Sequence, residues 1–248
     1  MRLLILGGTT EASALAHRID GRHDLYPVLS FAGRTRNPVP PPIPFRVGGF
    51  GGIAGLKAYL TEHRTDAVID ATHPFAAQMS RHAAAACHDL GLPLAAFTRP
   101  AWSTQDGDRW TSVSDVAAAA RALGERSRTV FLTIGGLQLA VFAGAPQHRY
   151  IVRTIDPPET IASLPFHRLI LARGPFGVAE EIALMRAENI DVLITKNSGG
   201  AATQAKIAAA RTLGLEVIIV QRPAPEDVPT INAVDGVLAW IEAHRPPP

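Results

Sequence analysis

One repeated unit constrains the fold more than any other feature: a short buried apolar run, a glycine-rich polar turn, then a helical stretch. Residues 191–213 show it most compactly. Val192, Leu193, Ile194 and Thr195 read as a strand. Four successive apolar or β-branched residues suit a parallel sheet covered on both faces. Lys196, Asn197 and Ser198 follow at once, Gly199 and Gly200 make a tight turn, and 201–213 reads as a helix. Such a junction places polar side chains at the strand's C-terminal end and aims the first helical N–H groups into the same space.

The same unit runs through the chain. In the first 100 residues, strands are expected at 3–6, 25–31, 46–47, 67–69 and 94–97. Helices are expected at 12–19, 53–63 and 76–90; Ala12, Leu15, Ala16 and Ile19 have helical spacing. Residues 37–44 hold five prolines and must be irregular. Residues 99–108 are the best linker candidate. The pattern then restarts, with strands at 110–113, 130–133, 150–154, 169–172, 192–195 and 217–220 and a closing helix at 234–244. No short-period sequence repeat is present; what repeats is architecture. The expectation is an α/β protein of two Rossmann-like parallel-sheet domains, 1–100 and 101–248, with the active site in the cleft between them.

Composition excludes several classes. A net charge of +2 without any Lys/Arg run argues against nucleic acid. A single cysteine, Cys87, allows no intrachain disulfide and reads as a buried small residue in an Ala-rich helix. The N-terminal apolar run is too short for a signal peptide, and no run approaches the ~18 residues that would span a membrane. A cytoplasmic protein, monomeric or weakly homo-oligomeric, is expected. The nine histidines are scattered without H-E-x-x-H or H-x-x-E-H spacing, so no metal is expected. No G-x-S-x-G elbow occurs either.

Candidate site residues concentrate after strands, where open parallel sheets bind ligands. Gly7-Gly8-Thr9-Thr10-Glu11 is a candidate phosphate cradle, in which glycine admits a pyrophosphate and the helix start supplies N–H groups. It is not G-x-G-x-x-G, and a tight turn with a Thr N-cap is the plain alternative. After the second strand an NAD-binding domain carries a carboxylate; this chain offers Ser30, Arg34 and Arg36. A guanidinium pairs with a 2′-phosphate, which favours NADPH over NADH, although both arginines could simply be solvated on a Pro-rich loop. Gly49, Phe50 and Gly51 follow the third strand. Thr72 and His73 close the fourth, where a nicotinamide could lie; His73 would position the ring, relay a proton or serve only structure. Lys196 is poised to bind a carboxylate or donate a proton. Arg153 and Arg173 occupy equivalent places on neighbouring strands, and with Lys196 and Ser198 would form a basic rim for a polyanionic substrate.

Taken in order, several of these stretches resemble a known family, the NADPH-dependent precorrin-6A reductases of corrin biosynthesis. The stretches are Ile5-Leu6-Gly7-Gly8-Thr9-Thr10-Glu11, Asp70-Ala71-Thr72-His73-Pro74-Phe75-Ala76, Arg173-Gly174-Pro175-Phe176, Thr195-Lys196-Asn197-Ser198-Gly199-Gly200 with Lys206 ten residues on, and Gln221-Arg222-Pro223. The resemblance implies hydride transfer from NADPH to a C=C bond of the precorrin-6A macrocycle, giving precorrin-6B. Its substrate carries acetate and propionate groups, in agreement with a basic rim. A related branch acts on the cobalt-loaded substrate, and nothing in the residues separates the two. Other readings are an NADPH-dependent reductase or epimerase of another anionic metabolite, and a non-catalytic NADPH-sensing module.

Overall fold

A computed structural model describes residues 1–33 and 39–246. The chain divides into two compact units, Met1–Pro100 with Pro223–Pro248, and Ala101–Arg222.

The first unit contains β1 (Arg2–Leu6), α1 (Thr10–Ile19), β2 (Tyr26–Phe31), β3 (Phe45–Val47), α2 (Gly52–Glu62), β4 (Ala67–Asp70), α3 (Ala77–Leu90) and β5 (Leu94–Phe97). The second contains β6 (Arg109–Val113), α4 (Val116–Ala122), β7 (Thr129–Thr133), β8 (Arg149–Thr154), β9 (His167–Leu171), α5 (Val178–Ala187), β10 (Val192–Lys196), α6 (Ala205–Leu213) and β11 (Glu216–Val220). The chain then supplies β12 (Thr230–Ile231) and α7 (Val234–Ala243) to the first unit.

Each unit is one six-stranded sheet in which all the strand pairs are parallel, with orders β3-β2-β1-β4-β5-β12 and β9-β8-β7-β10-β11-β6. Both follow the doubly wound pattern, in which strand order reverses beside the first central strand. The reversal lies between β1 and β4 in one sheet and between β7 and β10 in the other. The outermost strand differs in origin: β6 opens the second unit's chain, whereas β12 comes from the far end of the sequence.

Burial explains the pattern that the apolar runs predicted. Leu3 to Leu6, Val68, Ile69, Val192, Leu193 and Ile194 are all almost fully inaccessible. Helix α1 buries Ala12, Leu15, Ala16 and Ile19 against the first sheet. Thr9 caps it, its hydroxyl accepting from the Ala12 N–H and donating to the Ala71 carbonyl. Helix α3 buries Ala83, Ala86 and Cys87 and ends at left-handed Gly91. Burial pushes the Cys87 thiol up to about 12.

Two expectations on domain organisation are corrected. Residues 223–248 belong to the first unit, not the second. There α7 places Val237 and Ile241 in the first sheet's core, and β12 pairs with β5 through Thr230↔Ala96 and Ile231↔Phe97. Residues 99–108 are not a free linker: Trp102 is part of the second unit's core, and Asp108 accepts from the Arg211 guanidinium. Smaller differences are local. Residues 201–203 form a 3-10 turn before α6, and β9 starts two residues earlier than expected, at His167.

Candidate functional site

The first unit's reversal point brings together the turn after β1 and the turn after β4. Gly7 leaves room for the buried Leu29 side chain, which would have to shift because a Cβ at position 7 would lie 2.6 Å from its Cδ1. Gly8 has φ +110°, and a Cβ built on it would meet nothing within 4 Å, so its backbone faces open space. Among the described residues, the N–H groups of Gly8, Thr9, Thr10 and Glu11 have no protein acceptor. Four adjacent donors at the positive end of a helix fit an anion. Glu11 would oppose one, but its carboxylate pairs with Arg99.

After β4, Asp70 caps its own turn: its Oδ1 accepts from the Thr72 N–H at 3.0 Å and from the Thr72 hydroxyl at 2.6 Å. His73 Nδ1 accepts from the Phe75 N–H at 3.2 Å. A neutral ring then carries its proton on Nε2.

The ends of β2 and β3 lie side by side, with Ser30 registered on Arg46. Arg46 Nη1 donates to Ser30 Oγ at 2.7 Å and to the Gly48 carbonyl at 2.9 Å, and Nη2 donates to the Gly49 carbonyl at 3.1 Å. The guanidinium lies 4.1 Å from the Phe50 ring centroid. Gly55 holds this loop close, because a Cβ there would sit 1.7 Å from the Phe50 carbonyl oxygen. Ser30, Gly49, Phe50 and Gly51 are thus brought together as expected from one strand end to the next. Arg34 and Arg36 lie outside the described residues. Arg46, read from the sequence only as a strand residue, is the cation that the structure places here.

The second unit's reversal point is built around the turn after β10. Asn197 clamps Trp102 by two main-chain bonds: its Oδ1 accepts from the Trp102 N–H at 2.8 Å and its Nδ2 donates to the Trp102 carbonyl at 3.1 Å. Trp102 Nε1 donates to the Gly200 carbonyl at 3.1 Å. Arg222 holds the carbonyls of Asn197 and Ser198, each at 2.9 Å. Gly199 and Gly200 take positive φ of 65° and 78°. The turn carrying Lys196 and Ser198 is therefore fixed from three sides. Burial lowers the Lys196 pKa below the ordinary lysine range. Lys206 is buried behind it, its ammonium 5.0 Å from the Trp102 ring centroid.

Of the expected basic rim, Arg173 is exposed on the loop after β9, and Lys196 is half-buried at the end of β10. Arg153 is corrected. It is 8% exposed, pairs with Glu181 through both terminal nitrogens, and lies 3.8 Å from the Phe176 ring centroid. A guanidinium already bonded on its fork side has little to offer a ligand. It anchors α5 and the 173–176 loop instead. The sequence gives no sign of this, since Glu181 lies 28 residues away on α5.

Among the described residues no group of three His, Cys, Asp or Glu side chains is placed to hold a metal, and no helix is long and apolar enough to cross a membrane.

Two doubly wound parallel sheets with flanking helices define the class: a Rossmann-like α/β protein of two units. Comparison with known proteins gives the family. The sequence pattern described as "Precorrin-6x reductase CbiJ/CobK" matches residues 2–242, and the chain belongs to that family, which makes it an oxidoreductase. A precorrin-6A reductase of Rhodobacter capsulatus is 50% identical over 247 residues, covering 100% of this chain and 98% of its own length. A cobalt-precorrin-6A reductase of Salmonella typhimurium is 31% identical over 235 residues, covering 90% of this chain and 88% of its own. A solved structure described as CobK precorrin-6A reductase superimposes with a TM-score of 0.93 at 50% identity, covering 98% of this chain and 97% of that one.

Proposed function

We propose that this chain reduces precorrin-6A, taking a hydride from NADPH and adding it to one C=C bond of the macrocycle to give precorrin-6B. The observation that carries the cofactor half is the set of four N–H groups at Gly8 to Glu11 without a protein acceptor. They fit a pyrophosphate. When bound, NADPH supplies the hydride. Ser30, Gly49, Phe50 and Gly51 would hold the adenosine end, and Arg34 and Arg36 remain candidates for its phosphate. Thr72 and His73 would flank the nicotinamide.

The turn of Lys196 and Ser198, with Arg173, would hold the macrocycle's carboxylates. A tetrapyrrole bearing acetate and propionate groups presents several anions, and these two cations stand at or just after the ends of β10 and β9 in the second sheet. Reduction also takes up one proton. Lys196, with its lowered pKa, would deliver it; His73 Nε2–H is the other group of suitable chemistry. The metal-free substrate is preferred over the cobalt-loaded one because identity is 50% to a relative named for the first and 31% to a relative named for the second. A cytoplasmic location accords with NADPH as donor.

The test is anaerobic turnover with each macrocycle. Oxidation of NADPH that requires metal-free precorrin-6A supports the reading. Oxidation only with the cobalt-loaded form would move the chain to the other branch.

A further inference from the structure

We propose that Asn197 is a positioning residue of the reduction: through a clamp on Trp102 it sets where Lys196 and Ser198 meet the macrocycle. This rests on the reading above, in which those two residues contact substrate. Asn197 is itself only 4% exposed, so it acts through its neighbours.

All four of its polar groups are committed. The main-chain N–H donates to the Val220 carbonyl at 2.8 Å, which carries the β10–β11 ladder one residue beyond Lys196. The main-chain carbonyl accepts from Arg222 Nε at 2.9 Å. The carboxamide is engaged on both sides, Oδ1 accepting from the Trp102 N–H and Nδ2 donating to the Trp102 carbonyl. Lys196 and Ser198 stand immediately before and after this residue, so the direction in which each leaves the main chain follows from how Asn197 is held.

The clamp is selective for asparagine. A carboxamide presents one acceptor and one donor side by side, as a paired strand would. Trp102 lies outside every helix and strand, and its buried main-chain N–H and carbonyl need such a partner. Alanine at 197 would leave both groups unmet. Aspartate would set a second oxygen against the Trp102 carbonyl.

The residue that Asn197 grips is fixed. Trp102 belongs to the second unit's core, and its indole reaches the other end of the same turn, where Nε1 donates to the Gly200 carbonyl at 3.1 Å. One residue thus holds the turn at 197 and at 200. Between those points Gly199 takes a φ of 65°, a conformation that glycine adopts without fixing a direction for the chain. The direction comes from Trp102 through Asn197.

The experiment measures anaerobic NADPH oxidation with precorrin-6A for wild type, N197A, N197D, K196A and the double variants of K196A with each. Calorimetric NADPH binding and thermal melting are recorded on all of them. N197A and N197D are expected to lower kcat/KM for precorrin-6A about 10- to 100-fold, the scale of a misplaced reacting group. NADPH affinity should stay at the wild-type value. The loss should be much smaller in the K196A background, because residues that act as one unit are not additive. Relative to wild type, N197D should regain activity as pH falls, since a protonated carboxyl again offers one donor and one acceptor. Should N197A fail to fold, the same cycle is read with N197D. A loss that simply adds to that of K196A, or that falls equally on NADPH binding, makes Asn197 structural and overturns the inference. If K196A alone keeps the wild-type kcat/KM, the reading of Lys196 fails first and the inference falls with it.

Discussion

Lys196 is the proposed proton donor, and burial sets its protonation. Its ammonium is partly desolvated at the end of β10, which favours the neutral amine. As pH rises through this lowered pKa the acid form is lost, so turnover should fall along an alkaline limb lying below the usual lysine range. K196A should remove that limb from kcat; a limb seen in KM alone would make Lys196 a carboxylate grip, not a proton donor. Cys87 makes the opposite prediction. Buried and with its thiol pushed up to about 12, it should resist alkylation in the folded protein and react only on unfolding, as a mass-spectrometric time course would show. At this scale the sequence was partly legible. Lys196, Ser30 and His73 stand directly after apolar runs, so their placement could be read. Arg46 and Arg153 could not be: one acquires meaning only from the register of β2 on β3, the other only from Glu181 on a helix far along the chain.

At the scale of elements, the strand–turn–helix junctions were legible because glycine and polar residues punctuate each buried run. The exception is β12, two residues long, which carries no periodic signal and exists because β5 offers it an edge. The loop after β3 depends on one glycine. Gly55→Ala would drive a Cβ into the Phe50 carbonyl at 1.7 Å, so the loop must move and NADPH affinity should fall while the second unit's packing is unchanged. Helix α7 is docked by Val237 and Ile241 in the core. At its rim Arg22 and Arg245 bridge Asp24 and Glu242. Ile241→Ala should destabilise the first unit by roughly 2–5 kcal/mol, measured by denaturant unfolding. The rim behaves differently. Hydrogen bonds from both arginines hold Glu242 down to about 2, and Asp24 also lies below the ordinary carboxylate range. A lowered pKa contributes stability that is present above the unfolded value of 4.5 and lost as pH falls towards 2. Both carboxylates are exposed and both arginines only partly buried, so salt should weaken the effect.

Over the whole molecule, two α/β units were legible but their chain membership was not. A sequence read in order assigns its last 26 residues to the domain they follow, whereas β12 and α7 complete the first sheet. A chain ending at Arg222 should therefore lose hydrogen-exchange protection in β1, β4 and β5 while β7, β10 and β11 stay protected. Loss of protection in both units alike would contradict that division of the core. The central claim is the reduction itself, and anaerobic absorbance of NADPH with purified precorrin-6A, against NADH as control, tests it most directly. The account predicts oxidation that needs the macrocycle and is much faster with NADPH. No oxidation with the macrocycle, in a protein that is folded and binds NADPH, would contradict it.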